Sequence, residues 1–296
     1  FGGTVLAQHP EVPNVVVNLD LKTSELPNSF SPNPTPSGWV TGPLAYYQKK
    51  FPDLVHDTGA LVADQPASVA KWQAEKAAMQ HLGYRVVFDP NFDISTTNFD
   101  QYVVQMRNAG VKILFLEQMP YNYAGAVFKS LDAQNFHPTI VLGGSVYSDQ
   151  LVSAAGGAPA IDGSWFEQGY SLYLGEDAAT LPAVRTFQTW VQTASPGFAP
   201  DLYTLFGWLT TELFVQALRS AGPDPSRGSV LEALRKITSF SGQGIAATAN
   251  PAGKIPGDCY IIGRVEGGRI VRFDDPPVDS PSGGYRCDGS FFYVKA

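Results

Sequence analysis

Four short apolar runs each hand over to residues able to hold a ligand. Gly59 to Ala63 (GALVA) leads into Asp64 and Gln65, and Tyr84 to Phe88 (YRVVF) into Asp89. Val111 to Leu116 (VKILFL) leads into Glu117, Gln118 and Met119, and Thr139 to Leu142 (TIVL) into Gly143, Gly144 and Ser145. A carboxylate at such a run end, Glu117 above all, can pair with a ligand cation or stand as a solvated loop acid. Ser145 sits in a near match to the nucleophile elbow, but Tyr147 replaces its last glycine and no histidine is near in sequence. Met119, Tyr121, Tyr123, Tyr147 and Tyr203 offer apolar bodies, the tyrosines with polar tips, which suits a pocket wall or a core equally.

Other motifs carry less chemistry. Ser241 to Ala247 (SGQGIAA) contains G-x-G-x-x-A, yet no apolar strand precedes it and no helix can follow through Asn250 and Pro251. His9, His56, His81 and His137 share no metal-ligand spacing. The acidic segment from Asp89 to Asp100 lacks the glycine and terminal glutamate of a calcium loop, so turn and capping roles fit it better. No metal or cofactor is expected.

The elements that position these residues follow from the period of the runs. They recur roughly every 26 residues with helix-like stretches between, as linked βαβ units require, and their β-branched and aromatic content suits strands covered on both faces. In an open parallel sheet, ligands bind beyond the carboxyl ends of the strands. Ile161 to Glu167 reads as a fifth strand and Val15 to Leu19 as an earlier one. Helices are expected over Gly42 to Lys50, over Pro66 to Leu82, and from Asn98, whose Gln101 completes a capping pair, to Gly110. Two more follow Asn122 and Ser148. The pattern then changes to three helices, Leu181 to Ala194, Asp201 to Ala221 and Ser229 to Ile237, the last opening with Ser229 and Glu232 in capping-box spacing. Asp258 to Phe273 reads as a hairpin turning through Glu266, Gly267 and Gly268. The prolines of Ser24 to Gly38 make that stretch a linker or crossover. One strand before this linker would leave open edges against the later helices, so further sheet is expected upstream.

The 44% hydrophobic content of the 296 residues can fill two cores. A net charge of −7 without a basic cluster argues against nucleic acid or an anionic membrane as partner. No stretch approaches the apolar length of a spanning helix. The sequence begins at Phe1 with neither initiator Met nor signal segment, so any export signal is expected to have been removed or omitted. Cys259 and Cys287 are either independent thiols or a staple across an irregular tail; their isolation favours the staple, and with it an oxidising compartment.

Taken in order, the linker, the helix TGPLAYY from Thr41, the five-strand block and the helix GWLTTELFVQALRSAGPDP from Gly207 to Pro225 resemble the type I periplasmic binding proteins. The similarity is to the leucine/isoleucine/valine-binding branch that serves ABC transporters. It implies an α/β, two-lobed fold, each lobe a parallel sheet flanked by helices, with a hinge between. Lobe 1 would take residues 1–36 and 170–248, with an N-terminal part of the family pattern missing, and lobe 2 residues 37–169 and 249–296. Crossovers would fall near Asn33 to Ser37, Gln168 to Ser171 and Ala247 to Asn250. The resemblance and the strand ends together give the expected ligand-binding set: Asn18, Asp20, Gln65, Ser68, Glu117, Met119, Tyr121, Gly144, Ser145 and Tyr203. Departures from the family pattern at Asp20, Leu21 and Lys22, and around Gln65 to Ser68, leave the ligand an amino-acid-like, aromatic or carboxylic small molecule. The expected function is extracytoplasmic capture of that molecule, by a monomer, for an ABC transporter permease in the membrane. A hydrolase using Ser145 and an extracellular ligand sensor are the alternatives.

Overall fold

Five parallel strands and a terminal antiparallel hairpin form one seven-stranded sheet in the computed structural model, which describes residues 2–17, 21–273 and 284–294. From one edge to the other the strands are Arg269–Arg272, Ile261–Glu266, Trp165–Gln168, Thr139–Gly143, Ile113–Leu116, Thr58–Ala60 and Val86–Phe88. The five parallel ones, counted along the chain, stand in spatial order 2-1-3-4-5. Strand order therefore reverses between Thr58–Ala60 and Ile113–Leu116, and a crevice opens at that switch point beyond the strand ends.

The two faces of the sheet feed two cores. Ile113 and Phe115 point into one with Trp72, Tyr47 and Trp165; Leu114 and Leu116 point into the other with Phe92, Phe99, Leu142 and Phe166. All four are fully buried, as a strand covered on both sides must be. The helices Pro66–His81, Asp100–Asn108 and Tyr121–Ala133 supply the cover. The hairpin turns through Gly267 and Gly268 with φ of 59° and 77°, the pair of left-handed residues that a tight hairpin turn needs.

Several boundaries differ from the sequence reading for local reasons. Gly59 to Ala63 is not one strand: Thr58–Ala60 joins the main sheet, while Val62–Ala63 pairs with Asn91–Phe92. Ile161 closes a short helix, Ala158–Ile161, and the fifth strand starts only at Trp165. Asn98 accepts from the Asp100 amide and precedes the helix as a turn residue, with Phe99 at the cap position. The last helix opens two residues earlier than expected, at Arg227, because Ser226 and Ser229 form the capping box rather than Ser229 and Glu232.

The proline-rich stretch is more structured than a linker. Ser29–Phe30 pairs in parallel with Asn14–Val15, and Gly38–Val40 pairs with Phe291–Tyr293. This small parallel pair packs on the helix Leu202–Ala221, which in turn packs on Arg227–Leu234. Leu202–Ala221 starts on a capping box of Asp201 and Thr204 and buries Leu205, Leu209, Leu213 and Ala217 along one stripe.

The stretches expected to be crossovers lie side by side. Asn33 Nδ2 donates to Tyr170 Oη at 3.1 Å, the Ala247 amide to Gly169 O at 2.9 Å, and the Ser171 amide to Ile245 O at 2.7 Å. Cys259 and Cys287 are disulfide-bonded, with Cα atoms 4.3 Å apart.

Candidate functional site

A cleft of about 300 Å³ lies where the strand ends of the sheet face the N-terminal segment and the long helix. On the sheet side it is lined by Glu117, Gly143, Gly144, Ser145, Glu167 and Gln168, which follow or end the third, fourth and fifth parallel strands. Val17, Leu21, Leu202 and Phe206 line the opposite side, and Asn33 and Tyr170 the hinge-like end.

The floor follows from strand register. Leu116 pairs with Leu142, and Glu167 with Gly143, so Glu117, Gly143 and Glu167 form a row across three strands. A Cβ on Gly143 would stand 2.8 Å from Glu117 Cγ and 2.9 Å from its Cβ. Without that atom the two acidic side chains meet over the glycine and hydrogen-bond to each other. No amide or hydroxyl donor among the described residues reaches Glu117 Oε1. Two carboxyls bond only by holding a proton between them.

Burial sets the charge of this floor. Desolvation first, then the Glu75 and Glu167 carboxylates, push the Glu117 carboxyl well above its ordinary range. Burial likewise raises Glu167 to about 7 and Glu75 to about 8, the latter against the hydrogen bond that Gln118 Nε2 donates to Glu75 Oε2 at 2.8 Å. Three buried acids therefore hold far less negative charge near neutrality than their number suggests. A ligand ammonium would displace the shared proton; a neutral ligand polar group could accept it.

Of the ten residues expected at the site, Glu117, Gly144 and Ser145 line the cleft. Ser145 Oγ donates to the backbone carbonyls of Glu117 and Met119, so its hydroxyl fixes the loop and has no histidine beside it among the cleft-lining residues. Met119 is buried in the core and Tyr121 hydrogen-bonds Gln150, both away from the lining. Gln65 is exposed at the cap of Pro66–His81 and Ser68 lies in its first turn; the next turns, through Ala70, Lys71 and Ala74, face the cleft instead. Tyr203 is 55% exposed, and its neighbours Leu202 and Phe206 take the lining position. Asn18 and Asp20 fall outside the described residues.

Sequence reasoning passed over Glu167, Glu75 and Lys71. Glu167 closes the fifth apolar run as Glu117 follows the third, so the same strand-end argument reaches it. Glu75 and Lys71 sit mid-helix, where a charged pair four apart reads as a solvated face. Among the described residues no group of three or more His, Cys, Asp or Glu is placed to hold a metal ion, and no helix is long and apolar enough to cross a membrane.

The sequence profile of the family described as periplasmic binding protein matches residues 8–269. A Leu/Ile/Val-binding protein homolog 1 from Brucella suis is 24% identical over 147 residues, which are 50% of this chain and 37% of the relative, so the match spans well under half of that protein. Among solved structures, a branched chain amino acid ABC transporter protein from Thermus thermophilus with bound valine is 15% identical and superposes with a TM-score of 0.72, over 91% of this chain and 73% of that one. A fatty acid ABC transporter substrate-binding protein from Thermomonospora curvata is 17% identical, with a TM-score of 0.66 over 92% and 86%. These structures share the two-lobed α/β fold, whose family is one of solute-binding proteins rather than enzymes. With a profile match over most of its length and a cleft at the strand ends of that fold, the chain belongs to the periplasmic binding protein family.

Proposed function

We propose that the protein captures a small carboxylic or amino-acid-like molecule in this cleft and presents it to an ABC transporter permease outside the cytoplasm, acting as a monomer. The observation that carries the reading is the cleft's place: it opens at the switch point of the sheet, with buried polar groups on one side and Val17, Leu202 and Phe206 on the other. The relatives' names point the same way, since leucine, valine and a fatty acid all join a carboxyl group to an apolar body. Residues 1–36 with 170–248 would move as one lobe against 37–169 with 249–296, the side-by-side segments at Asn33, Tyr170 and Ala247 acting as the hinge. Glu117, Gly144, Ser145 and Glu167 would hold the ligand from lobe 2, and Leu202 and Phe206 from lobe 1. No step of covalent chemistry is needed for this role. Mass spectrometry of small molecules retained through gentle purification, followed by calorimetry with the identified compound, tests it; binding that a bulky residue at Gly144 leaves unchanged would refute the site.

A further inference from the structure

Among the described residues, three charged side chains line the cleft: Lys71, Glu117 and Glu167. The two acids are partners to one another. Lys71 is different. It lies on Pro66–His81 at the switch-point side of the cleft, partly buried, with no ion-pair or hydrogen-bond partner among the described residues. No nearby acid pairs with it: Glu75, one turn on, accepts from Gln118 Nε2 at 2.8 Å through Oε2 and leaves its buried Oε1 without a donor among the described residues, and Asp89 takes Lys76 Nζ at 2.6 Å. An ammonium withdrawn from water without a counter-ion is unfavourable, and desolvation alone pulls the Lys71 pKa below its ordinary value. A desolvated, unpaired charge facing a cleft is the mark of a candidate ligand contact.

We propose that Lys71 is the anchor for an acidic group on the ligand, so that the cleft selects small organic acids over their uncharged counterparts. This inference rests on the reading of the cleft as the solute site. The acidic group meets the Lys71 ammonium, and the apolar body of the molecule lies toward Val17, Leu202 and Phe206. An α-amino acid and a simple monocarboxylic acid both satisfy this chemistry. They differ at the Glu117–Glu167 pair, which takes the ammonium of the first and is left with its own proton by the second. Lys71 is a specificity-determining residue here, and the row over Gly143 a second recognition point.

Calorimetry on the full chain tests this with straight-chain and branched monocarboxylic acids, leucine and valine, each beside its uncharged or less charged primary amide. Wild type is expected to bind at least one acid more tightly than its amide. Lys71→Met should weaken that acid by roughly tenfold or more and leave the amide unchanged, while Lys71→Arg keeps acid binding within a few fold. Unfolding curves of both variants verify that they fold. An amide that binds as well as its acid, or undiminished acid binding by Lys71→Met, overturns the role of Lys71 and leaves the cleft reading standing. Failure of every compound to bind wild type overturns the cleft reading and this inference with it.

Discussion

Glu117 and Glu167 meet carboxyl to carboxyl over Gly143, although a whole strand separates the strands that carry them. The glycine is required by space, not by conformation, since its φ of −95° is open to any residue. Gly143→Ala would press a methyl group against the Glu117 side chain and backbone, the nearest atom at 2.8 Å. Overpacking of this kind costs about 1–3 kcal/mol. Urea unfolding of the variant reads that loss; stability equal to wild type would show that the row tolerates a side chain.

The buried acids fix the sign of a pH effect. Glu75 and Glu167 rise from an ordinary 4.5 to about 8 and about 7, chiefly through burial. Folded, each keeps its proton over a range in which the unfolded chain has released it. Native stability therefore falls as pH climbs from about 4.5 through those values and levels off above them. The thermal midpoint should drop between about pH 5 and about pH 8, and Glu75→Gln should make the slope shallower. Asp57 works in the opposite direction at the acid end, since Lys112 and Arg85 hold it below its ordinary 3.8. A midpoint that is flat or rising across the neutral range would contradict the burial of these acids.

For an amine-bearing ligand the same pair gives a second pH signature. The ammonium binds the ionised pair, so affinity should increase as pH rises through the Glu167 value of about 7. Glu117→Gln should weaken such a ligand by about 1–3 kcal/mol and flatten the pH dependence. Calorimetry at several pH values measures both. Unchanged affinity of an amine ligand would remove Glu117 from the site.

Much of this architecture is legible in the sequence because it rests on local pattern. The runs at Ile113 to Leu116 and Thr139 to Leu142, the helix starts at Pro66 and Asp201, and the Gly267–Gly268 turn each carry their own signal. Glu117, Gly144 and Ser145 come to the cleft for the same reason, as residues beyond parallel strands. What escapes is non-local. The pairing of Ser29–Phe30 with Asn14–Val15 breaks no rule but has no marker in a proline-rich stretch. Lys71 and Glu75 look like an exposed helical pair until the fold sets Gln118 and the cleft against them. Tyr203 and Leu202 are adjacent in sequence, and only helix orientation decides which faces inward.

The Cys259–Cys287 bond joins cysteines 28 positions apart and closes a loop that contains the antiparallel hairpin and ends short of the last strand. By the chain-entropy estimate, reduction should cost on the order of 3 kcal/mol. Unfolding in denaturant with and without a reductant measures it, and thiol titration of unfolded, unreduced protein should find no free thiol. Two titrating groups would refute the bond.

The most direct test of the central claim is a crystal structure of the full chain carrying the small molecule that stays with it through native purification. The account predicts density in the cleft, in contact with Glu117 and Ser145 on the sheet side and with Leu202 and Phe206 across from them. Density confined instead to the polar pocket between Leu202–Ala221 and Arg227–Leu234, lined by Gln216 and Glu232, would contradict it.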